Sequence, residues 1–390
     1  MKSVAIIPLR SGSKGIPGKN KKKLLGRPLF EWCLGEAILS KLDEIYVFTD
    51  DDWILNRVEK EYKWTKKVHA LKRSASNASD TSSTEDAMKE FAEIVQYDFD
   101  LLCLLQATSP LTSHVDINNV LAKVKEEKYD SALTVVKTKR FIWSEEGTSL
   151  NYDYLNRPRR QDFKGMLMEN GAVYAIHKNQ FLKGNNRLGG KIALVHMSED
   201  TLSEIDEPSD FLIMEKLLTK RLNNSKNTPR KIELLVLDVD GVFTNGKVAV
   251  SSNGELFKTF SLRDGMGLEN IRANGVKVMV MTSEDSPIVK KRMEKLDIEM
   301  LFMGVKDKYA RLSHLLQELN LSRDQIAYVG DDINDLSNLN AVGWSFCPSD
   351  AVQEVKSACD IKLNHPGGNM AIREVSDFII RYNQRFENIK

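Results

Sequence analysis

The feature that most limits what this chain can fold into is the run Leu234-Leu235-Val236-Leu237, followed at once by Asp238-Val239-Asp240-Gly241. A short apolar run bounded by charge has the length and character of a strand buried on both faces, the kind found in parallel sheets. Two carboxylates at its end repel one another and lose hydration unless a cation or a proton separates their roles. Magnesium and proton transfer to a leaving group supply those roles. The run therefore predicts an α/β sheet with an acidic site at the carboxyl end of a strand, where ligands bind in open sheets.

The same grammar recurs along the chain. Short β-rich runs at 4–7, 45–48, 101–105 and 132–136 alternate with amphipathic stretches such as 84–95, which argues for parallel strands joined by helical crossovers. A polar stretch, 223–231, containing Asn-Asn-Ser-Lys-Asn-Thr-Pro, interrupts the pattern before a new strand at 232–237. Beyond it, strands at 277–281, 326–329 and 342–346 separate helical patterns at 287–296 and 308–319. A length of 390 residues exceeds what one hydrophobic core usually supports. The expectation is two doubly wound α/β domains, 1–222 and 232–390, with 223–231 as linker. No fixed-period repeat relates them, so they are different domains rather than copies.

Lys and Arg total 56 against 55 for Asp and Glu, without the basic excess of a general nucleic-acid binder. Small molecules and further copies of the chain remain as partners. The apolar start at 4–7 is closed by Pro8 and Arg10, too short for a signal-peptide core or a membrane span, so no membrane partner and a cytoplasmic location are expected. The four cysteines have no CxxC or Cys/His spacing and read as reduced, mostly buried thiols. The scattered histidines are given no catalytic role.

The first strand runs into Pro8-Leu9-Arg10-Ser11-Gly12-Ser13-Lys14-Gly15-Ile16-Pro17-Gly18-Lys19-Asn20. Its glycines let backbone N–H groups approach phosphate oxygens, and Arg10, Lys14 and Lys19 supply charge for a polyphosphate. The spacing is neither the Walker pattern nor the dinucleotide fingerprint. It closely resembles the signature of the acylneuraminate cytidylyltransferases, the CMP-sialic acid synthetases. Later segments agree in order: Arg73 with Asp80-Thr81-Ser82-Ser83, Leu105-Gln106-Ala107-Thr108-Ser109-Pro110, Arg157-Pro158-Arg159-Arg160-Gln161, and Asn170-Gly171-Ala172-Val173-Tyr174. The resemblance implies a Rossmann-like nucleotidyltransferase fold in which Arg10, Ser13, Lys19, Asn20, Arg73 and Ser82 hold CTP, the co-substrate. Gln106, Arg159, Gln161 and Tyr174 would surround the sugar. The catalytic charge would come from Arg10, Lys19 and Mg²⁺. The family's late Asp-x-Asp element reads Glu204-Ile205-Asp206 here, followed by Asp210, so Asp206 is the expected metal ligand and Glu204 a departure.

The Asp238 run resembles the haloacid dehalogenase phosphatases, together with Thr282, Lys308 and Gly330-Asp331-Asp332-Ile333-Asn334-Asp335. That likeness implies Asp238 as nucleophile and Asp240 as acid and base. Thr282 and Lys308 would bind the phosphoryl oxygens, with Asp335 orienting Lys308. Asp238, Asp331 and the Asp240 carbonyl would hold Mg²⁺. A hairpin-like insertion at 247–260, with Asn253-Gly254 at its turn, stands where a cap domain would be. It resembles the capless octulosonate-8-phosphate branch, which assembles as tetramers. Glu284, where that branch typically has arginine, looks more like the branch acting on nonulosonate 9-phosphates. The tail Gly367-Gly368 with Arg373 resembles the segment that folds over the site in this branch.

Together the resemblances imply a bifunctional enzyme. It would dephosphorylate a nonulosonate 9-phosphate and transfer CMP to the free sugar, N-acetylneuraminate or its deaminated analogue, and would form a homotetramer through the second domain. A silent second domain serving only oligomerisation is the alternative.

Overall fold

In the computed structural model, which describes residues 1–13 and 15–387, the apolar runs become neighbouring strands of two separate sheets. The chain divides into two compact units: Met1–Lys22 with Pro28–Met214, and Lys23–Arg27 with Glu215–Lys390.

The sheet of the first unit has the order Val68–Lys72, Glu44–Thr49, Ser3–Leu9, Leu101–Leu105, Met166–His177, Ser131–Thr138, Ile192–Met197. Met166–His177 alone runs against its neighbours; the other pairings are parallel. The sequence pattern predicts parallel strands with helical crossovers, and here the connection 139–165 contains no helix, so the chain turns back beside the strand it has just left. The helix Thr84–Ile94 follows from its pattern. Ala87, Met88, Phe91 and Ala92 recur at helical spacing and pack on Val4, Ile6, Leu102 and Leu104. A capping box of Ser83 and Asp86 satisfies its first amides.

The second unit has an all-parallel sheet in the order Met300–Phe302, Lys277–Met281, Leu234–Leu237, Ile326–Val329, Trp344–Cys347, Ile361–Lys362. Leu235 and Leu237 point into one core with the helices Leu262–Ala273 and Ala371–Glu387. Leu234 and Val236 point into the opposite core with Lys308–Glu318. Both faces are covered, which is why the strand carries no polar residue until Asp238. Strands Ala249–Ser251 and Gly254–Phe257 form a separate antiparallel hairpin with Val250, Leu256 and Phe257 exposed. Gly254 adopts φ 109° at its turn.

The polar stretch at 223–231 is tied to the second unit: Lys226 Nζ donates to Asp360 Oδ2 at 2.8 Å and to Ser345 Oγ at 2.7 Å. That unit also includes five residues from far upstream. Within it, Arg27 donates through Nε to Asp307 Oδ1 at 2.9 Å and through a terminal nitrogen to Oδ2 at 2.8 Å, and both side chains are 3% exposed. Asp307 caps the helix Lys308–Glu318 by accepting from Ala310 N. Cys33, Cys103 and Cys347 are buried, Cys359 partly so, and all are free thiols. Among the described residues, no helix is long and apolar enough to cross a membrane.

Candidate active sites

In the second unit, Leu234–Leu237 lies between Lys277–Met281 and Ile326–Val329, where the strand order reverses. Parallel pairing brings the carboxyl ends of all three strands to one place. Asp238, Thr282 and Asp331 therefore emerge together. Oxygens of Asp238, Asp331 and Asp335 lie within 4.8 Å of one another. Lys308 Nζ bridges two of them, 2.7 Å from Asp238 Oδ2 and 2.9 Å from Asp335 Oδ1, and Tyr328 Oη donates to the same Asp335 oxygen at 2.7 Å. Asp335 thus anchors Lys308 while remaining buried itself.

The charge balance of this cluster is unequal. Burial works against the Lys308 ammonium, but Asp238 and Asp335 outweigh it and hold the group above the usual lysine range. Burial pushes Asp238 well above the usual carboxylate range, opposed by Lys308 and reinforced by Asp335. Burial, helped by Asp238 and Asp335, pushes Asp331 up to about 8. Asp331 Oδ1 is buried with no hydrogen-bond partner. Clustered carboxylates and an orphaned oxygen are the donor set of a hard divalent cation, so the residues present fit magnesium. Gly241, at φ 82°, lets the turn pass this close: a Cβ there would stand 1.9 Å from Asp331 Oδ2.

Asp240 stands outside this set of three: both its oxygens accept from Lys258, and Oδ1 also accepts from Thr244 Oγ1 at 3.3 Å. Thr282 is buried, and its Oγ1 accepts from Glu284 N at 3.4 Å; the Glu284 carboxylate pairs with Lys306 at 2.9 Å. Gly367 and Gly368 lie against the turn after Asp240, with Gly368 N donating to Val242 O at 3.0 Å. The Arg373 guanidinium pairs with Asp377 on its own helix.

In the first unit, Ser3–Leu9 delivers the glycine-rich loop to the carboxyl end of the sheet. Lys14 lies outside the described residues. Ser13 stays half-buried in the loop. Gly18, at φ 64°, starts the 3-10 turn Lys19–Lys21. Lys19 Nζ reaches Ile205 O at 2.8 Å and Asp206 Oδ1 at 3.2 Å, joining the loop to the distant acidic element. Gly15 is pressed against the same element, since a Cβ there would be 2.5 Å from the Asp206 carbonyl oxygen. Glu204 lies under Gly171, and burial first, then Asp206, raises its carboxyl above the usual range. A cation beside it would relieve Glu204. Asn20 Nδ2 donates to Arg10 O at 3.3 Å, and Arg10 faces Asp80 at 3.3 Å. Arg73 is buried and bonded to Asn77 O at 2.6 Å, while Ser82 Oγ donates to Ser76 O at 3.2 Å.

The sugar-side residues are less gathered. Gln106 follows Leu101–Leu105 directly, and its backbone N–H donates to Ala172 O at 3.1 Å. Tyr174 is in the core; its hydroxyl donates to Glu169, and Arg187 sits 5.1 Å from its ring while also pairing with Glu85 at 2.6 Å. Arg159 and Gln161 are exposed on the helix-free segment 139–165.

Four residues at these sites lack any local sequence signal: Lys258, Tyr328, Glu169 and Arg187. Tyr328 reads as an ordinary strand residue, and the other three meet their partners only through the fold.

The cytidylyltransferase family model matches residues 4–224. The N-acylneuraminate cytidylyltransferase of Oncorhynchus mykiss is 33% identical over 96% of this chain and 88% of its own length. The chain belongs to the N-acylneuraminate cytidylyltransferase family. A second member, the B form of Danio rerio, is 31% identical over 98% of this chain and 92% of its own length. A haloacid dehalogenase-like hydrolase model matches 298–366. The 3-deoxy-D-manno-octulosonate 8-phosphate phosphatase of Haemophilus influenzae is 38% identical over 38% of this chain and 83% of its own length. This family member thus carries a haloacid dehalogenase-like unit after its cytidylyltransferase unit, each with a candidate site at the carboxyl end of its sheet.

Proposed function

We propose that residues 1–222 transfer CMP from CTP to the anomeric hydroxyl of a nonulosonic acid and that residues 232–390, beyond the linker 223–231, dephosphorylate the nonulosonate 9-phosphate. The whole assembles as a cytoplasmic homotetramer. One observation carries the second activity: Lys308 is clamped between Asp238 and Asp335 beside the orphaned Asp331 oxygen. A unit kept only for assembly gains nothing from such a costly cluster.

In the transferase, the anomeric oxygen attacks the α-phosphorus and pyrophosphate leaves with the growing charge. Lys19 and Arg10, with the loop amides, oppose that charge, and Ser13, Asn20, Arg73 and Ser82 hold the nucleotide. Arg159, Gln161 and Gln106 meet the sugar and its carboxylate. Tyr174, expected at the sugar, is buried in the core with its hydroxyl donating to Glu169, so it would act by fixing the Glu169 carboxylate rather than by touching the sugar. Asp206, with Glu204 beside it, would hold magnesium, which supplies neutralising charge to the phosphates.

In the phosphatase, an Asp238 oxygen bonds to phosphorus as the ester bond breaks, and Asp240 gives its proton to the departing alkoxide. Water then attacks the aspartyl-phosphate and returns a proton to Asp240. Thr282 and Lys308 hold the phosphoryl oxygens, Asp335 fixes Lys308, and Glu284 faces the sugar. Asp238, Asp331 and the Asp240 carbonyl would hold magnesium, which lowers the repulsion between the nucleophile and the phosphoryl oxygens.

The test uses the purified full chain with magnesium, N-acetylneuraminate 9-phosphate and 3-deoxy-octulosonate 8-phosphate. Phosphate should be released from the 9-phosphate with at least about tenfold higher kcat/KM, and Asp238→Asn should cut release about 10³-fold or more while CMP transfer stays within about twofold. Absence of phosphate release from the 9-phosphate would leave the transferase alone standing. Preference for the octulosonate would reassign the substrate.

A further inference from the structure

Asp240 is held by a residue outside the acidic cluster. Lys258 Nζ lies 2.7 Å from Asp240 Oδ1 and 3.0 Å from Oδ2, and the lysine side chain is only 3% exposed. Its other acidic neighbour is Glu255, at 3.4 Å. Glu255 accepts from Ser286, the N-cap of the helix Pro287–Lys295. Lys258 stands where the chain leaves the strand Gly254–Phe257 and re-enters the core. Burying an ammonium costs free energy unless its charge is matched, and here the match is the carboxylate at the end of the central strand.

We propose that Lys258 is the positioning residue for Asp240 in acid–base catalysis, a role that rests on the phosphatase reading. A single ammonium spanning both oxygens fixes the rotation of the carboxylate and so the direction from which a proton leaves or arrives. In the first step the ester O–P bond breaks, the Asp238 O–P bond forms, and the Asp240 proton passes to the alkoxide. In the second, a water oxygen bonds to phosphorus, the acyl O–P bond breaks, one water proton returns to Asp240 and the other stays on inorganic phosphate. Lys258 keeps its proton throughout: it spans both oxygens of the ionised Asp240 and stays on Oδ1, the nearer one, while Oδ2 carries the catalytic proton, with Glu255 at 3.4 Å as its remaining charge partner. The hairpin carrying the lysine thereby becomes part of the catalytic apparatus rather than a mere surface insertion.

The test compares kcat/KM, which covers the steps through formation of the aspartyl-phosphate, for N-acetylneuraminate 9-phosphate and p-nitrophenyl phosphate. The alkoxide needs a proton to leave; p-nitrophenolate does not. Lys258→Met should lower kcat/KM on the sugar phosphate about 100-fold and leave the aryl phosphate within about threefold. Lys258→Arg should recover most of the loss. Asp240→Asn should give the same split, and the double variant should lose little more than either single one. Retained aryl phosphatase activity reports an intact fold; if Lys258→Met fails to fold, Lys258→Gln carries the comparison. Equal losses on both substrates, or none on either, would overturn the role. A wild-type protein inert toward both substrates would overturn the phosphatase reading as well, whereas an active wild type without the split would sink Lys258 alone.

Discussion

Lys19 ends on a carbonyl and one carboxylate oxygen, acceptors that leave its remaining donor capacity for a polyphosphate. Its replacement by Ala should lower CMP transfer about 10²- to 10³-fold, as the loss of one well-placed donor to a developing charge does elsewhere. Phosphate release should stay within about twofold of wild type. Radiolabelled CTP and malachite-green assays on one preparation would check both, and an unchanged transfer rate would take the loop out of the site. Lys19 was legible in the sequence because glycines and cations crowd into one stretch after a strand. Asp238 and Asp240 were legible for a similar reason, as charges standing where an apolar run stops, whereas Asp331 was reached only through the family resemblance. Lys258 and Tyr328 were not, because their partners lie 18 and 7 residues away and are reached through a hairpin and a strand end. No local pattern marks a lysine whose meaning is a distant carboxylate.

At the scale of elements, the apolar run at 101–105 matches the strand Leu101–Leu105 residue for residue, because burial on both faces leaves its pattern little choice. The strand expected at 342–346 begins at Trp344 instead. Val342 is occupied as the C-cap of Leu336–Ala341, and Gly343 passes so close to Asp324 that a Cβ would meet its carbonyl oxygen at 2.5 Å. The antiparallel turn-back of Met166–His177 was invisible to alternation alone, since its first residues are exposed and only its second half reads as core. The hairpin Ala249–Ser251 with Gly254–Phe257 is the opposite case: visible in sequence, and presenting apolar side chains that nothing in its own unit covers. Such a patch on a two-stranded element is what the proposed assembly would cover. The wild type should sediment as four copies of the 44.2 kDa chain, and Phe257→Asp should shift it to smaller species. A wild type that sediments as a single chain, or a variant that keeps the wild-type mass, would remove the hairpin from assembly.

For the whole molecule, the acidic cluster ties stability to pH and to metal. Asp331, with a folded pKa of about 8, and Asp238, also raised, bind protons more tightly folded than unfolded. Their contribution is therefore fully present below about pH 4, the unfolded carboxyl value, and is lost as pH rises toward 8. The lowered carboxyls of Asp51, Glu85 and Glu374 are already ionised above pH 5 and stay silent in that window. In EDTA, the Tm of the second unit should fall by roughly 5 °C between pH 5 and 8, about 2 kcal/mol for a domain of this size. Magnesium should flatten the slope, and so should Asp238→Asn, which removes one repelling charge. A Tm that climbs with pH in EDTA would contradict the charge balance. The pairing of Arg27 with Asp307 reaches beyond equilibrium, into the order of manufacture. Arg27 is synthesised 280 residues before its partner, a wait of roughly 15 to 55 s at ordinary synthesis rates. During that time its segment has no second unit to join, so that unit closes only near the end of translation. A gene cut at 223–231 would yield a haloacid dehalogenase-like unit that never receives that arginine and must bury Asp307 without it.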